Sequence, residues 1–213
     1  VLGGPGGGLR PPPGAGYGPV MGPPPAAPSI PPPAGELWVF AYGSLMWDPG
    51  FPHDEARHAR LHGYHRALCV WSWRYRGTPA RPGLVLGLDR GGCCTGIAYH
   101  VPPGACRDAL AYLAERELQG GVYLPLYRPV RLAGGVAVEA LAFVVRRDHP
   151  QYAGQLSTER AARTVRGASG RRGPNVDYVA NTVTHLERMG MPCRRLRRVL
   201  DALLSAAPGG APR

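Results

Sequence analysis

The sequence predicts an α+β fold, a small mixed sheet or barrel with packed helices. Two observations predict it. Short apolar runs, several of them alternating or β-branched, fill the first half of the foldable chain, and amphipathic helical stretches fill its end. Ahead of both lies a segment of a different kind, with twelve prolines and ten glycines in residues 1–35. Such a composition cannot bury enough apolar area to offset its ordering entropy. It reads as a disordered or polyproline-like tail, either passive or a ligand for a proline-recognition domain. Residues 36–205 remain, about 170 residues and enough for one well-buried core. Residues 206–213 form a second short tail.

The strand candidates run in order from "ELWVFAYGSL" (36–45) through 66–72, 84–89, 93–101, 125–132 and 136–147. "DRGG" (89–92) reads as a turn, making a hairpin of the strands on either side. Helices are expected at 104–118, around 157–166, at 176–189 and at 194–205. The third has Asn175 as its expected N-cap, Asp177 in its first turn and Gly190 beyond its end. Val176, Val179, Val183 and Leu186 make its apolar face. Leu196, Val199, Leu200 and Leu203 make that of the fourth.

The first helix raises a question. Leu110, Leu113 and Ala114 mark its inner face, and "ERE" (115–117) places three charges beside it. At about 100° per residue, Glu117 falls between those apolar positions while Glu115 and Arg116 point away. A carboxylate on an apolar stripe is costly unless paired. Glu117 therefore reads as a buried ion pair or as a general base with a raised pKa.

The net charge of +11 comes entirely from arginine, for the chain has no lysine. With its many Ala, Gly and Pro residues, this points to a biased genome composition rather than a nucleic-acid surface. The five cysteines are odd in number, and Cys93-Cys94 lacks zinc-ligand spacing. The sequence shows no secretory signal pattern and no apolar run of the roughly 18 residues a membrane span needs. A reduced, soluble, cytoplasmic monomer is expected, without nucleic-acid or membrane partners.

Four stretches carry candidate chemistry. "FAYGSLMW" (40–47) ends a strand in a Tyr-Gly-Ser turn, whose N–H groups can form an anion nest or simply close a turn. "WSWRYRGTPARPG" (71–83) alternates aromatics with arginines, as a stacking strip for RNA or an ordinary strand and loop would. Its Arg76 is placed to meet a substrate carboxylate. Tyr152, in "DHPQYAG" (148–154), lies just past a strand, where its hydroxyl can reach a ligand. The seven histidines have no metal-ligand spacing, and no metal is expected. Without G-x-S-x-G around it, Ser44 is a poor nucleophile candidate.

Together and in this order these features are specific. "WVFAYGSLMW" (38–47), "RGTPARPGLVLGLDRGGCCTGIAYHV" (76–101), "AYLAERE" (111–117), "HPQYAG" (149–154) and "GPNVDYVANTVTHL" (173–186) resemble the ChaC-type glutathione-specific γ-glutamylcyclotransferases, bacterial branch. The resemblance covers residues 36–200 and leaves out the tail. It implies a small mixed β-barrel with packed helices and a lyase reaction that turns glutathione into 5-oxoproline and Cys-Gly without a cofactor. It also implies that Val39, Phe40, Ala41, Tyr42, Gly43 and Ser44 bind the γ-glutamyl group, largely through backbone amides. Glu117 is implied as general base, and Tyr152 as a residue near the substrate.

Two departures stand out. Ala41 replaces the usual glycine, and "LQGGVY" follows Glu117 where many relatives have Lys-Gly-Gly-Tyr. The rival readings are a broader cyclotransferase for γ-glutamyl amino acids or amines, an RNA-binding module, and a catalytically silent homologue.

Overall fold

The computed structural model describes residues 29–205. The greater part of the predicted N-terminal tail and all of residues 206–213 lie outside the described residues. The packed chain begins earlier than the composition suggests. Ile30 is buried against the core, and the Tyr127 hydroxyl donates to the Pro31 carbonyl at 2.8 Å.

Five strands close a barrel: β1 (Leu37–Ala41), β2 (Glu55–Ser72), β3 (Gly83–Val101), β4 (Tyr123–Leu132) and β5 (Ala137–Val145). Their order is β1-β3-β2-β4-β5, and β5 returns to pair with β1 in parallel, Val39 opposite Leu141. A single parallel pair also joins β3 to β5, Leu88 opposite Val144, and the remaining ladders are antiparallel. The mixed barrel expected from the sequence is thus present, and closure leaves few free edges. Phe40, Phe143, Leu37, Leu61, Leu84, Leu88 and Leu141 are all nearly inaccessible, packed on the two faces of its wall.

The expected hairpin at 89–92 is not formed. Asp89–Gly92 lie inside the continuous strand β3, whose partner β2 also runs unbroken from Glu55 to Ser72. Strands this long must bend to wrap a small barrel, and a β-bulge supplies the bend. The pairing shifts register between His62 and Tyr64, where Gly63, Gly91 and Gly92 have φ of 82°, 99° and 71°. The same glycines that signal a turn in a sequence here serve a bulge.

Helices α1 (Cys106–Glu117), α2 (Thr158–Arg166), α3 (Asn175–Arg188) and α4 (Arg194–Ser205) lie where periodicity placed them. Between α2 and α3, the two-residue strands β6 (Ser169–Gly170) and β7 (Gly173–Pro174) form a small ribbon. Ser157 caps α2 by accepting the Arg160 N–H at 3.2 Å. Arg166 of α2 donates to the Ala202 and Leu203 carbonyls of α4. Leu196, Val199, Leu200 and Leu203 are all buried. At the end of α3, Gly190 has φ of 69° and Met191 N–H returns to the Leu186 carbonyl.

The expected role of Asn175 needs correction, because it caps nothing. It is the first helical residue, and its side chain makes no cap bond. Instead its Oδ1 accepts the Leu84 N–H at 2.6 Å while its Nδ2 donates to the Leu84 carbonyl at 2.8 Å. A buried side-chain amide thus extends the sheet by one hydrogen-bonded pair, satisfying two backbone groups that no strand reaches.

Candidate active site

A cavity of about 100 Å³ opens where β1 ends, lined by Tyr42, Gly43, Ser44, Leu45, Val85, Leu86, Glu117, Tyr123, Phe143 and Tyr178. Each wall has a local cause. β1 stops at Ala41, and the chain folds at once into a 3-10 turn, Ser44–Met46, closed by Met46 N–H to the Gly43 carbonyl at 2.9 Å. The first N–H groups of such a turn have no partner within it, and here they belong to residues of the cavity wall.

Glu117 is the last residue of α1. Gly120 and Gly121, with φ of 88° and 69°, then turn the chain into β4, where Tyr123 is the first residue. Glu117 is inward and Glu115 exposed, but Arg116 does not point away as its helical phase suggested. Its guanidinium folds back over the end of α1. It meets Glu117 Oε1 at 3.2 Å, the Tyr112 hydroxyl at 2.7 Å, Ser44 Oγ at 3.1 Å and the Asp48 carbonyl at 2.8 Å. The reach of a long side chain outweighs the 100° step, and the arginine ties the end of α1 to the turn after β1.

The electrostatics favour a basic carboxylate. Burial pushes the Glu117 pKa above its ordinary value, and the charge and hydrogen bond of Arg116 only partly offset this. The carbonyl end of a helix acts in the same direction as burial. Around Glu117 stand three tyrosines. Tyr42 donates to the Phe143 carbonyl at 3.0 Å and Tyr123 to the Leu86 carbonyl at 2.6 Å, while Tyr178 accepts the Leu86 N–H at 3.1 Å. Burial raises all three phenols, Tyr178 to about 12 and the other two well above their ordinary value. All three are neutral at physiological pH.

Of the residues expected at a site, Tyr42, Gly43, Ser44 and Glu117 converge on this cavity. Val39, Phe40 and Ala41 stand behind it, buried in β1 and paired with Tyr99, Ala98 and Ile97. A side chain at Gly96 would strike the Ala41 carbonyl and the Phe40 ring, so glycine is required where β3 passes β1. Arg76 is not in the wall. It lies 5.3 Å from the Tyr178 ring centroid and donates to the Arg172 and Pro174 carbonyls.

Tyr152 is not in the wall either. It bridges to Val70, and its hydroxyl donates to Asp89 Oδ2 at 2.9 Å. Trp73 and Tyr75 of the aromatic strip are exposed, with Arg172 4.9 Å from the Tyr75 ring centroid. Tyr123 and Tyr178 were not anticipated, although both sit inside motifs already singled out, "LQGGVY" and "GPNVDYV". Only the folded chain shows which tyrosine of a motif faces the cavity.

The family model described as ChaC-like protein matches residues 37–206, most of the chain and all the elements that build the cavity. The chain belongs to the ChaC-like family. Among its relatives, the glutathione-specific γ-glutamylcyclotransferase of Escherichia coli K12 is 36% identical over 160 residues, covering 75% of this chain and 69% of the relative. The human glutathione-specific γ-glutamylcyclotransferase 1 is 31% identical over 180 residues, covering 81% and 80%. In fold, the chain is similar to the crystal structure of a yeast γ-glutamyl cyclotransferase specific to glutathione. The TM-score is 0.72 at 21% identity, with 80% of this chain and 96% of the yeast chain covered. Among the described residues, no helix is long and apolar enough to cross a membrane.

Proposed function

We propose that this chain is a γ-glutamylcyclotransferase that takes glutathione and releases 5-oxoproline and Cys-Gly. The observation that carries the reading is one carboxylate, Glu117, half-buried with a raised pKa and facing the turn Tyr42–Leu45 across a small cavity. The names of the E. coli and human relatives supply the substrate.

In a γ-glutamyl amide the α-amine and the γ-carbonyl belong to one residue. Attack of the amine nitrogen on the carbonyl carbon closes a five-membered ring, and the amide C–N bond to cysteine breaks. Intramolecular attack in a held geometry gains about 7–11 kcal/mol over a bimolecular one. The enzyme has to fold the glutamyl arm and move two protons. Glu117 takes one from the ammonium group, which frees the nucleophile. The same carboxyl passes that proton to the departing nitrogen and takes a second from the ring nitrogen, so the lactam keeps one N–H and Cys-Gly leaves as its ammonium. Positioned acid–base groups contribute about 10²–10⁴-fold.

The N–H groups of Gly43, Ser44 and Leu45 are the donors for the glutamyl group and for the oxyanion, where one good donor is worth about 3–4 kcal/mol. Tyr42, Tyr123 and Tyr178 stay protonated and shape the wall around it. This chemistry needs no cofactor. A reducing cytoplasm, where thiol glutathione abounds, suits a chain whose cysteines are all free.

The test is direct. The purified chain is incubated with reduced glutathione, and 5-oxoproline and Cys-Gly are followed by mass spectrometry. Both products are expected in equal amounts. Turnover of γ-glutamyl-alanine in preference to glutathione would move the reading to a broader cyclotransferase.

A further inference from the structure

A second and larger cleft, about 460 Å³, lies between the β2–β3 bulge and the start of α4. Arg60 and Arg66 of β2 line it from one side, Arg194 and Arg195 of α4 from the other, with His65 between them. We propose that this cleft binds a small oxyanion of the phosphate class.

Three independent features point there. The first is Arg66, which is only 7% exposed. Its hydrogen bonds go to neutral acceptors, the Tyr42 carbonyl, the Thr95 carbonyl at 2.9 Å and Met46 Sδ at 3.5 Å. Its Nη1 has no hydrogen-bond partner among the described residues and is open to solvent, for no buried side-chain nitrogen there is left unpartnered. A buried guanidinium without a counter-charge is costly. Cys94 beside it does not supply one, because burial pushes that thiol up to about 11 and leaves it uncharged.

The second feature is the company Arg66 keeps. Among the described residues, Arg60, Arg66, Arg194 and Arg195 form no ion pair with a carboxylate. Residues 1–28 and 206–213 contain no Asp or Glu. His65 does not relieve the charge either. With its Nδ1–H donated to the Gly91 carbonyl at 2.9 Å, its Nε2 accepts from Arg195 at 3.1 Å and holds that guanidinium at the cleft.

The third feature is the first turn of α4, which carries Arg194 and Arg195 and no acidic residue. Cations are unfavourable at the positive end of a helix, and an anion there relieves both the dipole and the arginines. Guanidinium forks arriving from two opposite sides suit a tetrahedral oxyanion, whereas one planar carboxylate takes a single fork face-on.

The experiment reads binding, so it stands apart from the proposed reaction. Thermal unfolding and titration calorimetry of the whole chain are run with pyrophosphate and with ribose 5-phosphate, against sodium chloride at equal ionic strength. A saturable rise in Tm of about 3–6 °C is expected at about ten times the dissociation constant. The double variant Arg194→Ser/Arg195→Ser keeps its Tm in chloride and binds at least about tenfold more weakly. Whichever probe binds tighter tells a free oxyanion from a phosphate ester. A wild-type Tm that no probe moves, or a rise undiminished in the double variant, would overturn the proposal.

Discussion

Arg116 and Glu117 are neighbours in helix α1 and also partners in space, with Nε of one 3.2 Å from Oε1 of the other. Successive helical residues diverge by about 100°, so the contact requires the arginine to turn back along the helix end. Tyr112, Ser44 and Asp48 hold it there. The proposed base is thus tethered, through its own neighbour, to the turn proposed to bind the substrate.

Removing the carboxylate separates function from stability. Glu117→Gln keeps the size and is expected to lower kcat/KM by about 10²–10⁴-fold. Its effect on folding has the opposite sign. The folded-state pKa of Glu117 is raised, so its contribution to stability is fully present below the unfolded pKa and lost as pH rises through the folded one. The variant should therefore match wild type in acid and gain Tm over it as pH climbs past the ordinary glutamate value. Thermal unfolding from pH 4 to pH 8, run beside the activity assay, reads both. A folded Gln variant with wild-type turnover would remove Glu117 from the reaction.

Arg116 should tune that base. Its charge and hydrogen bond lower the Glu117 pKa against the effect of burial. Arg116→Met then moves the ascending limb of the pH–rate profile to higher pH, and the loss of activity is larger at pH 6 than at pH 9. Arg116→Lys keeps the charge without the fork that spans Ser44 and Asp48, so it should restore the position of the limb more fully than KM. A profile unmoved in the Met variant would show that the pair is structural only.

The parts of this molecule legible in its sequence are those set by nearest neighbours. Leu196, Val199, Leu200 and Leu203 repeat with helical spacing, and α4 followed from them. The inward phase of Glu117 came from Leu110 and Leu113 in the same way. What escaped depends on partners far away in the chain. Gly91 and Gly92 look like a turn until Gly63 lies opposite them. Asn175 looks like a cap until Leu84, 91 residues away, presents its backbone. The closing pair Val39 and Leu141 leaves no trace in either segment, and Arg116 was misplaced because helical phase describes Cβ directions rather than the reach of a guanidinium.

Asn175 offers a sharp stability test, because its two bonds can be lost one at a time. Asn175→Ala strands both the N–H and the carbonyl of Leu84, at about 1–3 kcal/mol for each buried group left unpaired. Asn175→Asp keeps the acceptor, loses the donor and buries a charge, so it should also unfold at lower temperature than wild type. Leu86, two residues along β3, receives Tyr123 and gives to Tyr178. Loosening this strand should therefore raise KM for glutathione more than it lowers kcat. Urea unfolding and steady-state kinetics on the same preparations check both effects.

Tyr152 distinguishes a substrate contact from a structural one. Burial alone would raise Asp89, but its bonds to Arg147, to the Tyr152 hydroxyl and to the Arg90 N–H outweigh this and hold it below the usual carboxylate range. Such a depressed group stabilises the fold above its unfolded pKa, and the contribution is lost as pH falls through the folded one. Tyr152→Phe removes one of the bonds that depress Asp89 and shrinks that contribution. The variant should be less stable than wild type at pH 7, and the difference should fade as pH is taken below about 4. KM for glutathione should stay within about twofold, because the hydroxyl is committed to Asp89. A large rise in KM with unchanged stability would instead place Tyr152 against the substrate, and would mean that its loop moves to the cavity when glutathione binds.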